Sequence, residues 1–265
     1  VPIAHIHGGE VTEGAFDDAI RHSVTKMSSL HFTSCEEYRH RVIQMGEQPS
    51  KVFDVGSLGV ENIKAVPLMT KDELEASLDF KIDAQTILVT YHPVTLGGDP
   101  AKDIREFLDA LDQFKDLKVI FTMPNSDTGR DAIALAVENY VEKHSNSAKA
   151  YTSLGLKRYL STLQFVKAAV GNSSSGIIEV PSFGIPTLNI GDRQKGRLAS
   201  KSVVNCGTSK DEVIAGLKLC LSEEMQKAAK TYENPYAKPD TANLIYQELK
   251  NVELAGLNLK TFYDL

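Results

Sequence analysis

The sequence predicts an α/β protein made of two parallel, doubly wound sheets facing one cleft, with the first sheet incomplete. Three observations carry this. Short apolar or β-branched runs alternate with longer amphipathic stretches, as repeated βα units require. The alternation lapses once, around 58–70, and then restarts, which marks a boundary between two series. The first series has only three strands and two helices, and its entry strand lies at the start of the chain. The second is long enough for a complete doubly wound domain.

The elements follow in order. IAHIH (3–7) reads as a strand, AFDDAIRHSVTKMSS (15–29) as a helix, LHFTS (30–34) as a strand, CEEYRHRVIQMG (35–46) as a helix and VFDVGS (52–57) as a third strand. The polar stretch with Pro67 that follows is expected to be a linker. TILVTY (86–91) opens the second series. Helix 101–115 leads to strand 118–123, helix 129–145 to strand 148–153, and helix 156–166 to strand 168–172. A short helix from Ser175 to Phe183, strands 186–190 and 202–206, and helix 209–222 complete it. A last helix, 240–252, follows a break at Pro235 and Pro239 and is expected to cross back to the first unit. The expected division is 1–62, 63–238 and 239–265.

Composition narrows the function classes. With 42% apolar and 24% charged residues, the 265-residue chain should fold around a sizeable core. A net charge of −6 without basic runs gives no footprint for nucleic acid or an anionic membrane. Cys35, Cys206 and Cys220 are widely spaced, which argues against a disulfide framework or zinc ribbon and suits a cytoplasmic protein. No run is long and apolar enough to span a bilayer, and no signal peptide is visible.

In parallel α/β units, ligand chemistry lies just beyond the carboxyl ends of strands. GNSSSGIIEVPSFGIP (171–186) places a Gly-Ser turn between a strand and a helix. Ser173 and Ser174 there could cradle a phosphate with the helix amides, and Glu179 could accept hydrogen bonds from a ribose diol. The alternative is a Ser N-cap with Glu179 as its capping-box partner. GDRQKGR (191–197) adds Arg193, Lys195 and Arg197, suited to a diphosphate or simply solvated. His92, fixed by Pro93, and Asn125 each end a strand.

The opening segment HIHGGEVTEGAFDDAIRH (5–22) is the densest in ionisable groups. Glu10 follows a strand and a Gly-Gly turn, and Asp17, Asp18 and His22 start the next helix, with Asp18 and His22 at i, i+4. His5 and His7, at i, i+2, should project to the same side of the strand. The histidine spacing does not suit a metal. The aspartates could complement a helix dipole, or serve with Glu10 as an acid/base set facing the phosphate cradle.

These segments together with YHPVT and MPNSDTG resemble the hydrolysing UDP-N-acetylglucosamine 2-epimerases of sialic acid biosynthesis, over residues 1 to about 251. The related non-hydrolysing epimerases carry H-V-E-A-G-x-R and T-T-E-R-P-E segments where this chain has HIHGGEVT and GDRQKGR. The resemblance implies a GT-B-like fold of two Rossmann-like domains and a homodimer or homotetramer, with no metal or other cofactor. It also implies a two-step reaction: anti elimination of UDP to 2-acetamidoglucal, then syn hydration to N-acetylmannosamine. Carried over, Glu10, Asp17 and Asp18 lie near the sugar, supported by His22. His92, Ser173, Ser174 and Arg193 hold the diphosphate, Glu179 the ribose and Asn125 the nucleotide, while backbone near Leu154 clamps uracil.

The family's earlier G-D-R loop and N-terminal Arg are not in these residues. The chain is therefore expected to be N-terminally truncated within its first domain, which puts its own activity in question. Alternatives are the homologous enzyme for a UDP-2,4-diacetamido-trideoxyhexose, a GT-B glycosyltransferase and a UDP-binding module.

Overall fold

The computed structural model describes residues 1–13, 17–94, 99–124 and 129–265. Strands β1 (Ala4–Ile6), β2 (Leu30–Thr33) and β3 (Val52–Asp54) form a parallel sheet in that order, connected through α1 (Asp17–Met27) and α2 (Glu36–Gln44). β1 stops earlier than the sequence suggested because His7 adopts a left-handed backbone, φ 65°. Its side chain therefore leaves the strand's alternation, and the expected shared side for His5 and His7 does not hold.

The expected linker is mostly helical. α3 (Leu58–Ala65) is capped by Ser57, whose hydroxyl accepts the Gly59 amide, and it ends at Val66, before Pro67. α4 (Lys71–Leu78) opens with a reciprocal capping box between Thr70 and Glu73. Local capping outweighed the breakers that made this stretch read as coil.

The second sheet is parallel and six-stranded, ordered β6-β5-β4-β7-β8-β9. Its strands are β4 (Thr86–Thr90), β5 (Lys118–Thr122), β6 (Ala148–Tyr151), β7 (Ala168–Gly171), β8 (Thr187–Ile190) and β9 (Val203–Cys206). The helices between them are α5 (Pro100–Leu111), α6 (Arg130–Lys143), α7 (Gly155–Leu163) and the one-turn α8 (Ser175–Ile178). α9 (Lys210–Leu221), a short α10 (Glu223–Ala228) that the sequence did not suggest, and α11 (Thr241–Asn251) follow.

Strand alternation explains the core. Ile87, Val89, Val119, Phe121 and Val170 face a layer containing Ile104 and Phe107 of α5, Ile133 of α6, and Val213 and Leu217 of α9. Leu88, Ile120 and Ala169 face the other way, onto Leu74 and Leu78 of α4 and Leu160 and Leu163 of α7. Each fully buried aliphatic side chain contributes about 1.5–3 kcal/mol of transfer free energy.

α11 returns to the first sheet, where its Ile245 packs with Leu30, Phe32 and Val55. The tail beyond it continues over the same unit. Leu257 joins that cluster, Lys260 donates to the Lys26 and Ser28 carbonyls, and the Tyr263 amide donates to the Gly46 carbonyl. Among the described residues no helix is long and apolar enough to cross a membrane.

Candidate active site

The strand order reverses between β4 and β7, so a crevice opens beyond their carboxyl ends. Gly171 makes the approach of these strands possible. It sits at φ 131°, and a Cβ there would run into the Thr90 carbonyl. Asn172 then staples the crevice: its Oδ1 accepts the His92 amide at 2.7 Å and its Nδ2 donates to the His92 carbonyl at 2.8 Å. His92 is thus fixed beside the serine turn.

Ser174 occupies the N-cap position of α8 without a side-chain capping bond, and no capping box forms with Glu179. α8 is a single turn that passes into a 3-10 turn at Val180–Phe183, so its dipole is small. Any anion held here therefore relies on hydroxyls and basic side chains more than on a helix field. Tyr159 donates to Ser175 Oγ at 2.7 Å, and the Ser175 amide donates to Ser173 Oγ at 3.4 Å.

Glu179 lies against the start of α3, with Oε1 beside Gly59. Its Oε2 is buried and, among the described residues, has no hydrogen-bond partner. Burial pushes its pKa up, against a lowering contribution from Ser175. A buried carboxylate oxygen left without a donor costs about 1–3 kcal/mol. Such a group is set to receive hydroxyl donors.

The basic loop divides its residues among three tasks. Arg193 Nη1 donates to the Asn172 carbonyl at 3.2 Å, and Gln194 Nε2 donates to the same oxygen at 2.9 Å. Lys195 is exposed. Arg197 crosses to the first unit and pairs with Glu10 Oε2 at 2.8 Å, both side chains being buried. The sequence placed Arg197 in this loop without separating it from its neighbours.

Glu10 is the hub of the first unit. Its Oε1 lies 2.6 Å from His7 Nδ1 and accepts from Ser34 Oγ at 3.0 Å. Burial alone would raise its pKa, but the His7 hydrogen bond, the Arg197 charge and Ser34 outweigh burial and hold it down at about 2. Glu10 is therefore a fixed anion at neutral pH.

Asp18 accepts the Thr12 amide at 2.8 Å and pairs with Arg21 and His22, each at 3.4 Å. It braces the loop that carries Glu10. Asp17 is exposed at the start of α1, and His22 Nδ1 is buried without a partner among the described residues. His5 turns to Thr25 Oγ1 at 3.1 Å, with its pKa lowered first by burial and then by Arg21. Leu154 is buried in the layer under α4 and α7, and its carbonyl accepts from Arg158. Asn125 lies outside the described residues.

A further set of residues escaped the sequence reading. The Leu198 amide donates to Tyr38 Oη at 3.0 Å, the two tyrosine hydroxyls lie 2.9 Å apart, and Tyr236 Oη donates to the Leu198 carbonyl at 2.6 Å. This closed ring ties the basic loop to α2. The Glu13 amide also donates to the Lys195 carbonyl, so the loops of the two units meet across the cleft. A cavity of about 990 Å³ lies instead between α3 and the segment 229–242, and no expected site residue lines it. Size alone is a poor guide here, because the convergent polar groups and the strand ends are at the closed cleft. Among the described residues no group of three His, Cys, Asp or Glu side chains could hold a metal.

Comparison with known proteins agrees with this geometry. The profile of the family described as UDP-N-acetylglucosamine 2-epimerase matches residues 1–250. The GDP/UDP-N,N'-diacetylbacillosamine 2-epimerase (hydrolyzing) of Campylobacter jejuni is 42% identical over 100% of this chain and 69% of its own length. Polysialic acid biosynthesis protein P7 of Escherichia coli is 38% identical over 100% of this chain and 68% of its own. The crystal structure of Neisseria meningitidis UDP-GlcNAc 2-epimerase bound to UDP-GlcNAc superposes with a TM-score of 0.79 at 17% identity, covering 95% of this chain and 70% of that one. At that identity the likeness shows a shared GT-B fold of parallel α/β sheets.

Proposed function

The chain belongs to the UDP-N-acetylglucosamine 2-epimerase family, and from that premise we propose that it is a hydrolysing 2-epimerase of a UDP-2-acetamido sugar. It releases UDP by anti elimination across C1–C2 and hydrates the resulting glycal to the free C2 epimer. With UDP-N-acetylglucosamine the product is N-acetylmannosamine. The observation that carries this reading is the partnerless buried oxygen of Glu179 beside the serine turn, facing a cluster of proton-carrying side chains on the other unit.

In this reading Glu179 accepts the ribose hydroxyls, and His92, Ser173, Ser174 and Arg193 surround the diphosphate. Asn125 and the backbone near Leu154 belong to the nucleoside end. Donors preorganised around the departing diphosphate stabilise the charge that develops on it, which is where most of the rate should come from. Glu10 and Asp18, with Asp17 and His22 beside them, form the sugar-facing wall. The cysteines take no part: desolvation raises the buried Cys35 to about 11 and the partly exposed Cys206 and buried Cys220 to about 12, too high for thiolate chemistry.

A second reading of the sugar is a UDP-2,4-diacetamido-trideoxyhexose, favoured by the 42% identity to the diacetylbacillosamine enzyme. One experiment covers both. Each nucleotide sugar is incubated with the protein in deuterated water and the products are followed by NMR. Free UDP with a C2-deuterated 2-epimer is expected, and the larger kcat/KM assigns the sugar. An intact UDP-linked epimer from both sugars would exclude the hydrolytic reaction.

A further inference from the structure

The acid/base cluster has an internal order that the family reading does not supply. Resting on the reaction proposed above, we infer that His7 takes the C2 proton in the elimination step, with Glu10 and Arg197 serving to fix its ring.

Three observations lead there. Both oxygens of Glu10 are engaged: Oε1 by His7 Nδ1 and Ser34, Oε2 by Arg197. Held at about 2, this carboxylate is too weak a base to capture a carbon-bound proton. The 2.6 Å contact to Glu10 puts the His7 proton on Nδ1, and in the neutral ring that leaves the lone pair on Nε2. The imidazole is partly exposed, at 30%, and lies close enough to Glu179 of the other unit to act on its charge.

The backbone gives the third observation. His7 is one of few non-glycine residues with positive φ, a conformation that costs an L-residue about 1–2 kcal/mol. Gly8 and Gly9 follow it directly, so glycine is used freely next to the ring's own position. An imidazole is kept where glycine would relieve the strain, which fits a ring needed for its chemistry. The titratable and charged groups around the ring are Glu10 and His5 on its own unit, with Arg21 and His22 behind His5, and Glu179 and the Glu10-paired Arg197 across the cleft.

The step balances without a co-reactant. His7 Nε2 takes the proton from C2, the C2–H electron pair becomes the C1–C2 double bond, and the C1–O bond breaks with its pair leaving on the β-phosphate oxygen of UDP. Epimerisation returns a proton to the opposite face of C2, so one fixed imidazole serves only one of the two transfers. With Nδ1 tied to Glu10, Nε2 is the ring atom left to accept, which assigns His7 to the removal.

The test uses two variants that both tolerate the left-handed backbone. His7→Gly removes the ring, and His7→Asn keeps a side-chain N–H that can donate to Glu10 but offers no base. Both are expected to lose elimination by about 100- to 10,000-fold, with UDP affinity within about threefold of wild type. Both should still hydrate supplied 2-acetamidoglucal, and added imidazole should restore elimination to His7→Gly. Elimination near the wild-type rate in either variant, or equal loss of hydration and elimination, would overturn the assignment. Wild type separates this failure from that of the parent reading: if it turns over while His7→Gly keeps pace, only the role of His7 falls, and if it neither exchanges C2–H nor releases UDP, both fall.

Discussion

Strand β4 buries Ile87, Leu88 and Val89 and is covered by helices on both faces, whereas β1 leaves Ala4 and Ile6 exposed and ends in a strained residue. The two sheets position their polar groups by correspondingly different means. In the second sheet, strand ends and a backbone staple from Asn172 set His92 and the serine turn, so the half proposed to hold the nucleotide is organised by its own scaffold. In the first, Glu10 is placed by side chains, one of which, Arg197, comes from the other unit. The nucleotide grip should therefore stand or fall with the second sheet's backbone, and the proton chemistry with a network that spans both.

The largest effect that would break this contrast is at Gly171. Replacing it with alanine forces a Cβ against the Thr90 carbonyl in a backbone that L-residues rarely adopt. A loss of about 3–5 kcal/mol is expected, seen as a fall of roughly 10 °C in thermal midpoint together with weaker UDP binding. A variant as stable as wild type would show that the β4–β7 junction is not the rigid element it is taken for.

A smaller and sharper test separates the two halves. Glu179→Gln replaces a buried carboxylate of which one oxygen has no donor among the described residues, so the protein should be unchanged or about 1 kcal/mol more stable, yet UDP should bind about 10- to 100-fold more weakly. Glu10→Gln should do the reverse, abolishing turnover while UDP affinity measured by calorimetry stays within about threefold. Equal losses of UDP affinity in both would mean that the two regions do not divide the work.

The same contrast explains what the sequence disclosed. The central strands of the second sheet were legible because both faces are buried and their apolar runs are continuous, as in TILVTY. The positions of His92 and of Ser173 and Ser174 just beyond strand ends were legible because the apolar runs of β4 and β7 stop there. The helix at 58–65 was missed because a mostly polar stretch carrying Pro67 read as a linker, although Ser57 was there to cap it. The pairing of Arg197 with Glu10, the tyrosine ring around Leu198 and the left-handed His7 left no local signal. They depend on how distant loops meet, and no periodicity encodes that. The tail beyond Asn251 carries its apolar residues without a helical or strand period, so it announces no packing face, yet it inserts Lys260 beside a buried carboxylate.

That carboxylate, Glu47, supplies the smallest of the tests. It pairs with Lys26 at 2.6 Å, Lys260 at 2.7 Å and the fully buried His31 at 2.9 Å. Burial lowers the His31 pKa from 6.5 to about 4 despite the opposing pull of Glu47. A histidine with its folded pKa depressed leaves the unfolded chain holding more protons between pH 6.5 and about 4, so stability rises with pH across that window and is lost on acidification. Glu47 acts in the same direction at lower pH. Burial opposes ionisation, but hydrogen bonds from Lys26 and Lys260 hold its pKa below the usual carboxylate value. Between pH 7 and pH 5 the His31 contribution amounts to roughly 2 kcal/mol. Urea unfolding at the two pH values should show that loss in wild type and little of it in His31→Asn, with amide exchange rising first in β2 and the tail. The nucleotide half holds no such buried histidine pair with a carboxylate among its described residues, so its exchange should change least. Equal acid sensitivity of the two sheets would place the weak point of the fold in their common seam around Tyr38 and Tyr236 instead of in the first sheet.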